Sequence, residues 1–484
     1  MKKVLALLSA AVLALCLAGC AQHREIRSAE DLGEARIGVL TGLAHRQALQ
    51  ALFPGAELRN YEDLAAMSLA LRSRKIDALV CQEPGLDVLL QSAPGLAELP
   101  FPLLRDSVAV AFRPDGGELA ARFNAFLDEM RGDGRLAAMD ANWFGPEAPR
   151  SFYHSHVRTG TPLRVGIEVG QTGLTVMEGG EETGFEPELM RRFADHLGRP
   201  LQLVEMTGPG MVPALLSGRV DALVDAITPT AERSAGVLFS EPYYRASLHL
   251  VARAPDQTAV PARRSLKDAL YDNLIAEGRS KLILKGLWIT LLIMLCSVLL
   301  GSLLGALLCW MGVDGSRPAR KFAHAYCEFI EGIPIVVLLL FMFYVVFAAS
   351  AVAAVVVAII TYSLHFAAGA CESFRAGLES VPTGQYEAAQ ALGFNRFGTM
   401  RYVILPQAAR RILLLFKGKC VALIENTSIV GFIAIQDLTK VTDIIRTQTY
   451  NSLVPLLVVG LLYFLLAKLI GWAIDKLGDR LLKK

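Results

Sequence analysis

Apolar positions change their spacing abruptly along this chain. Residues 21 to 280 are charge-rich with short apolar runs, whereas 286 to 475 carry long ones. The long runs predict five transmembrane helices, near 286–310, 322–348, 351–374, 408–430 and 451–474, each close to the ~20 residues that cross a hydrocarbon core. The front part reads differently. Strand-like runs at Leu163–Ile167, Leu201–Met206 and Ala222–Ile227 are separated by helical patterns, one opening at Thr183–Met190 and one at Val212–Ser217. That alternation predicts a parallel sheet covered by helices. Residues 27 to 147 repeat the style, with strand Arg36–Val39, helix His45–Leu52, and further strands within Lys75–Val80 and Ser107–Phe112.

Composition fits two parts in series. Of 484 residues, 53% are hydrophobic, more than a soluble globule needs, yet 19% are charged. The net charge of +2, with no basic cluster interleaved with aromatics, gives no basis for a nucleic-acid partner.

The beginning carries an export pattern. Lys2-Lys3 precedes an apolar core, Val4 to Leu17, too short to span stably, so residues 1–20 read as a secretory signal. The ending Leu17-Ala18-Gly19-Cys20 resembles a bacterial lipobox, which implies cleavage before Cys20 and acylation of its thiol; an ordinary signal with a chance cysteine is the alternative. Cys81 is then the only free cysteine ahead of the spans, which excludes a disulfide framework there. With the front part outside, the first span runs inward. The connection Asp314–Lys321 and the basic tail Asp475–Lys484 then fall in the cytoplasm, as the positive-inside rule prefers.

Between the third and fourth spans lies Glu387-Ala388-Ala389-Gln390-Ala391-Leu392-Gly393, followed about a dozen residues later by Leu405-Pro406. Pro382 suits the start of a short exposed helix and Gly393 its end, and the alanines let a partner's groove approach the backbone closely. This E-A-A-x-x-x-G segment, with Leu378–Tyr386 leading into it and Glu331-Gly332-Ile333-Pro334-Ile335 upstream, resembles the polar amino-acid family of ABC importer permeases, from Lys285 to the C-terminus. The resemblance implies a bacterial inner-membrane subunit, multi-pass, that works with a second permease copy (identical or different) and a separate ABC ATPase. That ATPase would receive Glu387 in a cleft. The chain itself has no G-x-x-x-x-G-K-[ST] loop to cradle ATP phosphates and no His, Cys and carboxylate cluster at metal spacing, so no enzyme activity, cofactor or metal is expected. Where the family has K-D-T-S, this chain has Glu425-Asn426-Thr427-Ser428. An ionisable residue at membrane depth is a candidate for the translocation path; satisfaction by a neighbouring helix or the headgroups is the other reading. Glu328 and Glu331 line the cytoplasmic entrance or pair there.

Thr228-Pro229-Thr230-Ala231-Glu232-Arg233 and Phe239–Tyr244 resemble the first lobe of the family 3 periplasmic solute-binding proteins, while residues 27 to 147 resemble the second lobe and its C-terminal return. The two lobes stand in permuted order. The expected fold is therefore an α/β two-lobed, type II-like periplasmic binding domain followed by an all-α membrane domain of five transmembrane helices. Its divisions are 1–20 signal, 21–150 lobe 2 and return, 160–256 lobe 1, 257–285 linker and pre-membrane helix, and 286–484 permease. In this arrangement Asp106–Arg113 crosses from lobe 2 to lobe 1, and the strand near Leu248–Arg253 points toward the hinge before the chain leaves for the membrane without crossing.

The resemblance makes Arg233, with Thr228 and Thr230, a clamp for the carboxylate of an amino-acid-like polar solute. Other pocket positions depart from the family. Gln82-Glu83-Pro84 replaces an acidic residue before Glu-Pro, Gly42-Leu43-Ala44 lacks the hydroxyls, and Gly170–Gly173 and Gly208-Pro209-Gly210 replace aromatics. Glu83 and Gln82 are the candidates for the missing polar contacts. Two functions stay open: an importer permease with its own tethered solute-binding domain, or a permease whose lobes have lost ligand binding and act as a docking or regulatory module.

Overall fold

The computed structural model describes residues 26–482, apart from 27, 29, 42–43, 94, 101–102, 146–150, 170–173, 179–180, 207, 255–265, 349, 351, 434 and 450–452. The expected signal segment and Cys20, like the pocket positions Gly42-Leu43 and Gly170–Gly173, lie outside the described residues.

The N-terminal segment alternates strand and helix as its periodicity demands: β1 (Arg36–Leu40), α1 (Arg46–Leu52), β2 (Glu57–Tyr61), α2 (Leu64–Arg72), β3 (Ala78–Gln82), α3 (Glu83–Ser92) and β4 (Leu96–Glu98). Short apolar strands joined through helices pair in parallel, and β1 indeed lies between β2 and β3. Helix α2 starts where Asp63 accepts from the Ala66 N–H at 2.7 Å, and it buries Leu64, Met67 and Leu71 against the sheet.

The chain then crosses. β5 (Arg105–Val108) and β6 (Ala111–Phe112) lead into α4 (Gly117–Gly132) and α5 (Arg135–Phe144). The second α/β segment follows as β7 (Leu163–Ile167), β8 (Val176–Glu178), β9 (Glu181–Thr183), α6 (Phe185–His196), β10 (Leu201–Glu205), α7 (Gly208–Leu216), β11 (Ala222–Leu223), β12 (Leu238–Phe239) and β13 (Tyr244–Arg253). One sheet runs β2-β1-β3-β13-β4 and the other β10-β7-β11-β6-β12. Each sheet thus takes a strand from the other half, and the result is a single two-lobed unit. We call the sheet of β1 lobe 2 and the sheet of β7 lobe 1. The first half of β13 pairs with β5, and its second half, Leu248–Ala252, pairs with β3. This corrects the expectation that the chain leaves without crossing. Alternate apolar positions in β13 bury Leu248 and Leu250 in lobe 2, and that burial carries the strand through. Phe123, Phe126, Met130 and Trp143 of α4 and α5 pack on lobe 1 with Phe193.

Both lobes fasten their first strand the same way. The Arg36 guanidinium grips Asp77 at 2.7–2.9 Å, and Arg164 grips Asp221 at 2.7–3.3 Å. Burial alone would raise the Asp77 carboxyl, but the Arg36 side chain and N–H hold it below the usual carboxylate range.

The rest is helical: α8 (Leu266–Leu274), α9 (Arg279–Val313), α10 (Arg317–Gly332), α11 (Ile335–Phe341), α12 (Ala354–Glu379), α13 (Thr383–Ala391), α14 (Leu405–Asn426), α15 (Leu438–Thr449) and α16 (Leu453–Leu482). Among the described residues three helices, α9, α12 and α16, are long and apolar enough to span, and counting each of two bent pairs as one span brings the number to five. The expected span 322–348 is not one straight helix. Pro334, which has no N–H to continue the ladder, stands at a break where Arg317–Gly332 and Ile335–Val346 meet at 100°. Gly301 and Gly305 of α9 sit so close to α12 that an added Cβ would meet the Ser363 and Ala367 carbonyls at 2.8 Å. Small residues at this spacing let membrane helices approach backbone to backbone.

Candidate functional site

The connection between the third and fourth spans forms a short helix presented away from the bundle. Pro382 caps α13 and Gly393 follows it at φ +83, a conformation that ends the helix at little cost to glycine. One face is anchored: Ala389 is buried, and Val381 and Tyr386 pack with Met400, Ile404 and Ala408. The other face is open. Glu387, Ala388 and Gly393 are exposed, and next to them Leu392 and Phe397 are 79% and 71% exposed. A charged residue thus stands beside large uncovered apolar side chains.

The residues Glu425-Asn426-Thr427-Ser428 straddle the end of α14. Glu425 is exposed on the last turn, and the Asn426 carbonyl accepts from the Tyr362 hydroxyl at 2.7 Å. Thr427 is fully buried and donates to the Ile424 carbonyl at 2.6 Å, opening a 3-10 segment that runs to Ile433. The continuous helix expected over 408–430 therefore ends at Asn426. Glu331 pairs with Lys419 of α14 at 3.1 Å, and Glu372 lies 4.0 Å from the same ammonium. Lys419 and Glu372 were not singled out from the sequence, although charges inside apolar helices are the signal that would have found them.

In lobe 1, Thr228 and Arg233 come together. The Arg233 guanidinium donates to the Thr228 carbonyl at 3.1 Å, and the Thr230 hydroxyl accepts from the Arg233 N–H at 3.2 Å, so Thr230 starts the helical turn Ala231–Ser234. In lobe 2, Gln82 ends β3 opposite Leu248, and Glu83 accepts from the Ser247 N–H at 3.2 Å, beside the crossing strand.

A second group, missed from the sequence, stands at the C-terminal ends of β7, β10 and β11: Glu168, Glu205 and Asp225. In open α/β sheets ligands collect at these ends. Burial, ahead of nearby Glu168 and Glu186, pushes the Asp225 carboxyl well above its usual range, while Lys440 and Arg233 pull it down. Burial also raises Glu205, against the pull of Lys440 and Gln436. Beneath them Glu186 is fully buried, accepting from the Tyr243 hydroxyl, the Thr175 hydroxyl at 2.8 Å and the Ala226 N–H at 2.7 Å. Ala226, at φ +44, takes a backbone conformation that alanine rarely adopts, and the Glu186 contact holds it there. No group of three or more His, Cys, Asp or Glu suited to a metal occurs among the described residues.

The lobes rest on the membrane helices. Arg219 of lobe 1 lies 3.4 Å from the ring centroid of Phe343 and donates to the Phe343 and Phe347 carbonyls at 3.2 Å. The Tyr344 hydroxyl reaches the Gly210 carbonyl at 3.3 Å. Helix α15 makes the other contact, with Lys440 3.7 Å from Glu205 and Arg446 2.6 Å from Asp63 of lobe 2.

Bent and small-residue-packed spans, an exposed helix between two of them and α/β lobes seated on one end define a transport permease with an extramembrane domain. The family described as binding-protein-dependent transport system inner membrane component matches residues 297–483. The arginine transport system permease protein ArtQ of Bacillus subtilis (strain 168) is 32% identical over 203 residues, 42% of this chain and 92% of that protein. The glutamate/aspartate import permease protein GltK of Escherichia coli O6:H1 is 30% identical over 194 residues, 38% of this chain and 87% of that protein. A solved amino acid ABC transporter described as holding histidines is 28% identical, with a TM-score of 0.40, over 46% of this chain and 100% of that one. The chain belongs to the binding-protein-dependent transport permeases, and its curated relatives are named as transport proteins, not enzymes.

Proposed function

We propose that this chain is the permease subunit of an ATP-driven importer of amino acids or related polar solutes, carrying its own tethered solute-binding lobes outside the bacterial inner membrane. The observation that carries the reading is α13, anchored by Ala389 and exposed at Glu387, Ala388 and Gly393, in a chain whose relatives are named for arginine and glutamate/aspartate transport. A separate ABC ATPase docks on that face, a second permease copy completes the pathway, and Glu425 to Ser428 border it. The C-terminus is cytoplasmic and acylated Cys20 adds a second tether. Arg233, Thr228 and Thr230 bind the solute from lobe 1, Gln82 and Glu83 from lobe 2.

Glu387→Lys tests the coupling assignment. The variant should insert normally but lose ATP-driven uptake and ATPase co-purification, and unchanged uptake would sink it. A second reading makes the lobes a docking or regulatory module without ligand. It is favoured by one observation, the seating of Lys440 against Glu205. Binding of labelled amino acids to the full chain separates the two.

A further inference from the structure

We infer that the acidic end of lobe 1 is a site for a cationic ammonium group, held in this structure by Lys440 of the chain's own α15, and that a soluble basic amino acid displaces it. This rests on the reading of the lobes as solute-binding and assigns them a substrate class.

Four observations carry it. First, Glu168, Glu205 and Asp225 stand at or just past the C-terminal ends of three adjacent strands, β7, β10 and β11, where such folds place ligands. Second, the group in that place is an ammonium. Lys440 is only 8% exposed, and lysine is buried to that degree only when paired.

Third, Lys440 satisfies the site incompletely. It stands 3.7 Å from Glu205, beyond hydrogen-bond distance. Glu205 Oε1 and Asp225 Oδ1 are sealed from solvent with no hydrogen-bond partner among the described residues. The ammonium of a free solute, with three donors on a stem that no helix anchors, can reach acceptors that a helix-borne lysine cannot. Three carboxyl groups are left facing Arg233 once Lys440 withdraws, and a cation beside them favours their charged forms, so a cationic solute is favoured there over an acidic one.

Fourth, α15 touches both lobes. Gln436, just ahead of it, donates to Glu205 at 2.5 Å, Gln448 donates to the Met177 carbonyl at 2.8 Å, and Arg446 meets Asp63 in lobe 2. Its apolar side, Val441, Ile444 and Ile445, packs into the lobe 1 cluster. Occupation by Lys440 and attachment of the lobes are therefore one event. A solute that takes the ammonium position loosens the lobes from the membrane domain, and the coupling is reciprocal.

The test uses the full chain in nanodiscs with L-lysine, L-arginine and L-glutamate as probes. If Lys440 fills the site most of the time, apparent affinity is reduced by that occupancy. Lys440→Met should then bind lysine and arginine at least about tenfold tighter than wild type, glutamate binding should not improve, and Lys440→Arg should stay near wild type. Independently of that substitution, a disulfide between Met177→Cys and Gln448→Cys should form readily and be slowed by lysine. Tighter binding of neutral or acidic amino acids alone, or a disulfide indifferent to a lysine concentration that saturates binding, overturns the inference and leaves the solute-binding function standing. Failure of every amino acid to bind wild type and Lys440→Met overturns both.

Discussion

Replacing Arg219 tests whether lobe 1 is held on the membrane domain by the contacts that the structure shows. Its guanidinium lies over Phe343 and donates to two carbonyls at the end of the second span. A cation over an aromatic face is worth about 1–2 kcal/mol when partly desolvated. A hydrogen bond from a charged donor adds about 1.5–3 kcal/mol net, and the half-buried position of Arg219 argues for the lower end. The contacts share one desolvation cost, so their joint loss comes to about 3 kcal/mol, roughly a hundredfold in an opening equilibrium. Amide hydrogen exchange on the full chain in nanodiscs reads that equilibrium. Arg219→Ala should speed exchange over residues 208–219 by about a hundredfold. Arg219→Lys, which keeps the charge but loses the planar fork, should have a smaller effect. Amides of β1, in the lobe that makes none of these contacts, should stay at wild-type rates. Wild-type exchange over 208–219 in Arg219→Ala would show that the lobe is held elsewhere and refute the reasoning.

Three further outcomes are expected. Arg233→Ala should weaken amino-acid binding by about 2–5 kcal/mol, because the ligand carboxylate loses a charged, hydrogen-bonded partner; wild-type affinity by calorimetry rules the clamp out. Gly305→Leu should force α9 from α12 and destabilise the membrane domain by about 1–3 kcal/mol or more, seen as a lower melting temperature in detergent; an unchanged midpoint would count against that close packing. Burial raises the Glu186 carboxyl in the folded lobe above its unfolded value of about 4.3. Its contribution to stability is therefore full below that value and is lost as pH rises through the folded one. Glu186→Gln should flatten the fall in lobe stability above pH ~4.3, followed by urea unfolding, and a pH profile identical to wild type contradicts the assignment.

Much of the site's framework was legible because it is written in local pattern. Pro382 and Gly393 bracket α13 as their backbone preferences dictate. Glu331 was marked as an entrance or pairing residue, and it pairs; nothing local in the sequence pointed to Lys419 as the partner. Asp225 and Glu205 went unnoticed because each reads as the ordinary polar end of a strand. Only when three strand ends converge, with a lysine facing them, do they become a site.

By itself, the sequence determined the series of α/β segments and apolar helices, the exposed helix and the family, since periodicity, caps and motif spacing act within a few residues of one another. The tertiary structure alone decided that β13 crosses into lobe 2, that the second span turns through 100° at Pro334, and that Gln436 meets Glu205 across 231 residues of chain. A hydrophobic pattern states which face of an element is buried. It does not state what buries it, because distant partners are chosen by the packing of the whole chain and by which charges pair most favourably once water is excluded.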